Sequence, residues 1–590
     1  MGRQKPEGAR ILLLIGFLFL TLYSKGQKVF AILTAAEDSN KLRVESFQSQ
    51  AALDQFLTAR KLSLFSKGYL AYSLDSMVPK GKDTLRVFEF YGNQYHWGNL
   101  TWKVKEAVLL KNGLDPSLLS GRVINLKQYL TATEKILSYY ENNGYPFVQL
   151  KLDSIRQSGD TLSGALEASL GPRIVFDSIA VEGTVKISQG YLMQYLGVKK
   201  GEPFSQKIFK TIDKKLQELP FARVTGPSRV SFKSKKALVT IKLDKKSANF
   251  FNGVIGILPN SPQLVNTNSG SNLLLTGDLQ LILINSLKTG ERIDIAWKSL
   301  KPGTQRLKAA TSFPYLFNSP FGVEEKLDLF KQDTSFVNFS NNLGLLYSLS
   351  ANNHLKIFWE YKSTNVLADA KSGEFQQNIS NSYGLEVQLE KLDYRYNPTR
   401  GTRVTASVQG GTRTIGGGED GKVEVTYPLA DSNVTATSLI PDRSNLLKFY
   451  LTGEYYIPLF KVTTIKLASS SGYLLNPYLF DNDLDRIGGF ALLRGFDEQS
   501  LYVSLYSIFT VEYRLLLERN SYVGLFFDGA FTERQTFTRY EKDWPYGFGA
   551  SISFQTKPGI FSIMYAVGSQ QGNPVEFRSA KIHFGFVSLF

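Results

Sequence analysis

The sequence predicts a chain of two unlike parts: α+β repeats on the N-terminal side, then a transmembrane antiparallel β-barrel of about sixteen strands. Three observations lead there. Up to about residue 247, apolar residues fall at helical spacing in some stretches and alternate in others. Beyond that point helical spacing disappears, and strand-length alternating segments follow one another between Gly, Asn, Asp and Pro turns. The first residues read as an export signal, and no later run approaches the ~20 consecutive apolar residues of a membrane helix. An exported chain without such a helix can cross a membrane only as a closed barrel.

Composition narrows the function. The 590 residues contain no cysteine, which excludes a disulfide framework and every thiolate metal site. The three histidines, His96, His354 and His583, lie far apart in sequence, which argues against a histidine-based catalytic or zinc centre. Phe and Tyr are abundant although the mean hydropathy is slightly negative. Such a chain is hydrophobic in alternation and not in runs. The net charge of +16 raises the question of nucleic acid. The lysines, however, are dispersed and densest between Lys186 and Lys246, on segments that are themselves amphipathic. A solvated basic face, or one near anionic lipid headgroups, is expected in preference to a nucleic-acid groove.

Taken in order, residues 1–26 form the expected signal peptide. MGRQKPEGAR is basic, ILLLIGFLFLTLY is the apolar core, and Ser24 and Gly26 have the spacing a signal peptidase reads. A first repeat is placed at 27–98, where Leu53, Phe56, Leu57 and Leu64 keep helical spacing before the alternating TLRVFEFYG. A second, 99–171, contains NLKQYLTATEKILSYYENNGYPFVQLKLDSI, a helix closed at Gly144 and then an extended segment. A third, 172–247, holds ISQGYLMQYLGVKKGEPFSQKIFKTIDKKLQELPFARV and then KALVTIKLDKK. Recurrence of one helix–turn–strand grammar at ~70–75 residues marks an internal repeat, the first copy being the least regular.

Residues 248–590 are assigned to the barrel. In SIFTVEYRLLL, Phe509, Val511, Tyr513 and Leu515 share one face, and Thr510, Glu512 and Arg514 the other. YVGLFFDGAF sets Val523, Leu525, Phe527 and Phe531 against Asp528, and the closing KIHFGFVSLF aligns Ile582, Phe584, Phe586 and Phe590. A soluble sandwich could alternate in this way, but the length of uninterrupted strand pattern behind an export signal favours the barrel. At ~21 residues per strand and connection, the region holds about sixteen strands.

One stretch departs from the pattern. IGGFALLRGFDEQS, residues 487–500, neither alternates nor keeps a helical period, and its arginine and acids stand among glycines and aromatics. It reads as a long loop. By parity Glu512 and Asp528 lie on the polar, lumen-facing side of their strands. Elsewhere, Gly253 and Gly256 fall on the first barrel strand, ANFFNGVIGILPN, and Gly585 on the last. Glycine weakens a strand, so this seam is expected to be the least stable pairing, unless the glycines relieve crowding or mark bulges. GGGEDGKV approaches phosphate-loop spacing, but Val423 stands where a Ser or Thr must bind magnesium. Neither a G-x-S-x-G elbow nor an H-E-x-x-H site is present. No enzyme, metal or cofactor is expected.

Several of these stretches together resemble the Omp85 superfamily, in which periplasmic POTRA repeats precede a sixteen-stranded outer-membrane barrel. LLRGF (492–496) is similar to the family's loop motif, and FFDGA (526–530) to its F-x-D-x-G partner, with Ala530 where glycine is usual. NPTRG (397–401) resembles a turn at barrel strand starts; GPRIVFDSIAVEG, GEPF and ENNGYPFV resemble POTRA signatures. The terminal Phe590, with Phe584 and Phe586, resembles the C-terminal assembly signal. The resemblance implies that the loop carrying Arg494, Gly495 and Phe496 folds back into the lumen, with Asp528 and Glu512 as acidic partners of Arg494. It implies an outer-membrane assembly or translocation factor of the translocation-and-assembly or BamA-like branch, inserting or exporting β-rich clients. Its repeats would add clients as β-strands, and its barrel would open laterally at the seam. The alternatives are a two-partner secretion pore for one dedicated substrate and, less well matched, a passive porin. Implied partners are unfolded client polypeptides, outer-membrane lipid, and periplasmic or inner-membrane accessory proteins; nucleic acid is not among them.

Overall fold

The computed structural model describes residues 29–589, apart from 36–37, 82, 113–118, 260–272, 302, 351, 368–373, 395–396, 417–420, 429–434, 491 and 557–558. The expected signal peptide and Phe590 lie outside the described residues. The chain divides into two compact units, one of residues 1–176, 201–209 and 232–237, the other of 177–200, 210–231 and 238–590.

Three small sheets precede the barrel. The first is built from β1 (Val29–Ala35), β2 (Asp38–Phe47), α1 (Gln50–Phe65), β3 (Ser73–Pro79) and β4 (Thr84–Phe90), in the order β2-β1-β4-β3. Ser49 caps α1 by accepting from Ala52 N, and Leu53 and Leu57, one turn apart, pack on Ala31, Leu33 and Val87. The second has β5 (His96–Lys103), α2 (Glu106–Lys111), α3 (Leu126–Glu141), β6 (Gln149–Ser158) and β7 (Thr161–Ser169), ordered β5-β7-β6 with β5 and β7 parallel. Its core is Val108, Leu109, Ile136, Tyr140 and Leu166. The third has β8 (Val175–Glu182), α4 (Gln189–Leu196), α5 (Gln206–Glu218), β9 (Ala222–Lys233) and β10 (Lys236–Lys245), ordered β8-β10-β9. The second and third sheets share one strand–helix–helix–strand–strand plan. The first keeps the parallel β1–β4 pair but carries β2, a hairpin partner of β1, where the others have a first helix.

The barrel closes on itself. Its strands run Phe250–Pro259, Leu273–Ile284, Arg292–Lys301, Thr304–Phe313, Phe321–Gln332, Phe336–Ser348, His354–Val366, Asn378–Leu392, Gly401–Ile415, Arg443–Phe460, Thr463–Leu475, Leu505–Glu518, Ser521–Gln535, Tyr540–Asp543 with Tyr546–Gln555, Ile560–Ser569 and Lys581–Leu589. The two segments of the fourteenth both pair with the thirteenth, so they are one interrupted strand and the barrel has sixteen. Alternation explains the closure: outward residues such as Ile357, Leu385, Leu451 and Leu525 are exposed, and the polar face turns inward. No described helix is long and apolar enough to cross a membrane. Within the second unit, α4 rests on the turn between the second and third barrel strands. Ser188 N donates to Lys288 O at 2.7 Å, Asn285 Nδ2 donates to Lys186 O at 3.0 Å, and the Tyr191 ring lies against Gly290.

Candidate functional site

The twelfth and thirteenth strands build the floor of the site. Phe509, Tyr513, Leu515, Leu525 and Phe527 face outward and are exposed, so the residues between them, Thr510, Glu512, Arg514, Phe526 and Asp528, turn into the lumen and are buried. Between the eleventh and twelfth strands the chain leaves the wall over residues 476–504, making only a short ladder of Asp485–Ile487 with Leu501–Val503. The LLRGF stretch lies at the turn of this excursion, inside the barrel.

Arg494 is the centre of the site. Its Nε and Nη2 grip both oxygens of Asp528, at 2.7 and 2.6 Å, and its own backbone N–H donates to Oδ2 at 3.0 Å. Thr510 Oγ1 adds a fourth donor at 2.8 Å, so each oxygen of the fully buried Asp528 accepts two hydrogen bonds. The remaining guanidinium edge reaches Glu512 Oε2 at 2.9 Å. Lysine has no planar fork and could not hold two carboxylates in this way. The Phe526 ring lies 3.6 Å from the guanidinium carbon, a cation–π contact. Losing one partner of such a buried set costs about 3–5 kcal/mol, because the other charge is left uncompensated.

The backbone fit is equally specific. Gly495 has φ +94°, and a Cβ there would stand 2.6 Å from the Val567 backbone of the fifteenth strand. Gly547 and Gly568, on the facing wall, leave the space into which the Arg494 and Gly495 carbonyls fit. Phe496 is buried with Ile487, Leu493, Val503, Tyr506, Ile508 and Ala530. The methyl of Ala530, where the family motif has glycine, is thus part of this apolar cluster. Gly489, also with positive φ, turns within the loop: its nearest neighbours are Glu498 atoms.

The structure adds residues that sequence reading missed. Arg514 Nε donates to Glu512 Oε1 at 2.9 Å, and its Nη1 donates to Asn397 Oδ1 at 3.2 Å. The cluster is therefore two arginines and two acids, and the NPTRG turn closes it through its first residue. Arg514 shares the inward parity of Glu512, so the signal was present. The loop's outer part is pinned independently. Arg413, 1 % exposed, pairs with Asp483 at 2.9 Å and donates to Tyr478 O at 2.6 Å, while Arg534 pairs with Asp481. Nothing in the local sequence joins Arg413 to Asp483, which are brought together only by closure of the barrel.

The remaining expected residues lie elsewhere. First and last strands meet through two residue pairs, Phe250–Leu589 and Phe251–Ser588, whereas the first strand has ten with the second. None of the three seam glycines falls in that register. Gly253 and Gly256 face Leu279 and Thr276 of the second strand, and Gly585 faces Ser562 of the fifteenth. The Phe490 ring of the loop comes within 3.7 Å of where a Gly585 Cβ would be. Phe584 and Phe586 sit in the last strand, opposite Ile563 and Phe561. His354 stands 3.7 Å from Glu386, and no group of three metal-ligating side chains occurs among the described residues. GGGEDGKV leads into the hairpin Lys422–Pro428 with Thr435–Pro441, where Val423 is buried, and no helix follows it.

A sixteen-stranded barrel preceded by small α+β sheets, with an arginine-bearing loop folded into its lumen, defines a barrel protein with an N-terminal α+β region. The Omp85 superfamily domain matches residues 285–587, just over half of the chain, and the chain belongs to that superfamily. CdiB from Acinetobacter baumannii has the same fold at 12% identity, covering 92% of this chain and 98% of its own, with a TM-score of 0.54. CdiB from Escherichia coli matches at 13% identity over the same shares, also with a TM-score of 0.54. BamA from Haemophilus ducreyi lacking POTRA domains 1–3 matches at 13% identity, covering 84% of this chain and all of its own, with a TM-score of 0.43. Among curated proteins none matches the sequence.

Proposed function

We propose that this protein is an outer-membrane assembly or translocation factor of a Gram-negative bacterium, which inserts or exports β-rich clients without cofactor or catalysis. The observation that carries this reading is the seam: a closed barrel whose other neighbours pair along their length is joined at one place, among the described residues, by two residue pairs. An unzipped edge presents free backbone donors and acceptors, to which an incoming strand adds by β-augmentation. The sheets at 27–98, 99–171 and 172–247 serve as three POTRA repeats in the periplasm, following a cleaved signal peptide at 1–26. They receive unfolded clients, with or without accessory proteins. Arg494, Gly495 and Phe496 hold the loop in the lumen through Asp528 and Glu512, and Phe584, Phe586 and Phe590 form the signal for the barrel's own insertion. A secretion pore for one dedicated substrate is the alternative.

Depletion followed by a census of outer-membrane proteins separates the two. Loss of many unrelated barrels supports the assembly role, and loss of a single exported protein supports the pore. The native chain has no cysteine, so Phe251→Cys with Ser588→Cys, directly opposed in the register, locks the seam cleanly. Normal client assembly by the oxidised protein would rule out lateral opening.

A further inference from the structure

Directly after the RGF motif come Asp497, Glu498 and Gln499, and these three consecutive side chains reach three different strands. Asp497 Oδ1 pairs with Lys581 Nζ, on the last strand, at 2.8 Å. Glu498 Oε1 pairs with Lys298 Nζ, on the third strand, at 3.1 Å, and Lys298 also holds Asp278 of the second at 3.2 Å. Gln499 Oε1 accepts from Arg306 Nη1, on the fourth strand, at 3.1 Å, and Arg306 grips Asp328 of the fifth. The loop thus spans from the last strand to the third and fourth across the place where the barrel is joined by two residue pairs.

The geometry of the turn supports this placement. Phe490 N donates to Glu498 Oε2 at 3.2 Å, and Gly488 and Gly489, both with positive φ, lie beneath residues 497–500 with no room for a Cβ. The Phe490 ring, held by that bond, extends toward Gly585 of the last strand. The Asp497–Lys581 pair is 60 % and 37 % exposed, unlike the Arg494 cluster. An exposed pair is weak and screened by salt, so this end of the loop can be released while Arg494 stays bound.

We infer that Asp497 and Glu498 are positioning residues that clasp the seam from inside, so that release of this end of the loop, with its Arg494 anchor in place, permits lateral opening. The inference rests on the proposed seam mechanism and concerns what regulates it. It is tested on the full-length protein in vesicles of phosphatidylethanolamine and phosphatidylglycerol, with spin labels on Ile257→Cys and Ile582→Cys. These positions would face each other if the two-pair register continued upward. Asp497→Asn with Glu498→Gln is expected to raise the open fraction by at least about threefold, the size expected for the exposed Asp497–Lys581 pair alone, the Glu498–Lys298 pair being half-buried, and to weaken its rise with added salt. Asp497→Lys with Lys581→Asp is expected to restore the native distance distribution. Unchanged distances in the neutral variant, or a salt response equal to the native one, would overturn the clasp. The client census reads the other proposition separately. A widened seam with no effect of seam locking on assembly leaves the clasp standing and removes lateral opening as the route of client insertion. An unaltered seam with assembly abolished by the lock does the reverse.

Discussion

Arg494 and Asp497 stand three residues apart on one loop, yet the ion pairs that hold them differ in kind. Arg494 is buried and saturated: Asp528 takes four hydrogen bonds, Glu512 bridges to a second arginine, and a phenyl ring lies against the guanidinium. Asp497 meets Lys581 by one contact between exposed groups. Coulomb's law is the same for both. Water and the number of simultaneous bonds make the difference, because a buried charge stripped of its partner has nothing else to solvate it, whereas an exposed one is rehydrated. A loop built this way is fixed to one wall and releasable from the opposite one.

The largest expected effect tests the fixed side. Asp528→Ala should lower barrel stability by about 3–5 kcal/mol, read as a drop in the denaturant midpoint of the heat-modifiable form. Arg494→Ala added to it should change little more; full additivity in the double-mutant cycle would break the pairing. The first α+β sheet offers a control for burial outside the barrel. Glu89, 1 % exposed, accepts from Arg60 Nε at 2.6 Å and from Tyr72 at 2.6 Å. Burial alone would raise its carboxyl, but the bonds from Arg60 and Tyr72 hold it below the usual range. Its contribution is therefore fully present above the unfolded carboxylate value of about 4.3 and is lost as pH falls through the lower, folded value. Glu89→Gln should cost about 1.5–3 kcal/mol at neutral pH. The cost should vanish in strong acid, as followed by hydrogen exchange over residues 84–90 corrected for intrinsic rate.

A backbone test comes next in size. Gly495→Ala places a Cβ against Val567 at positive φ and should cost about 1–3 kcal/mol, seen as faster proteolytic nicking within residues 476–504. The smallest effect probes the releasable side. Asp497→Asn should shift the unfolding midpoint by less than about 1 kcal/mol. A loss as large as that of Asp528→Ala would erase the distinction between the two anchors.

Much of this was legible in the sequence because it depends on local parity. Glu512 and Asp528 face inward since their neighbours Tyr513, Leu515, Leu525 and Phe527 face out, and a strand offers only two sides. Arg514 obeys the same rule, two residues beyond Glu512, but its bond to Asn397 depends on a turn more than a hundred residues earlier in the chain. In residues 27–98 the expected helix and following strand are accompanied by β2, a strand that the helix–turn–strand grammar does not contain.

The sequence by itself determined the strands, their faces, and the presence of a loop whose glycines and arginine could not belong to a wall. These follow from the two-residue period of a strand and the donor geometry of single side chains. The tertiary structure alone decided which residues meet across the lumen: Arg413 with Asp483, Arg514 with Asn397, Asp497 with Lys581 and Glu498 with Lys298. It also decided that, among the described residues, first and last strands share two pairs. Such contacts join positions tens to hundreds of residues apart. They depend on the register summed over every strand around the barrel, a quantity no local stretch of sequence contains.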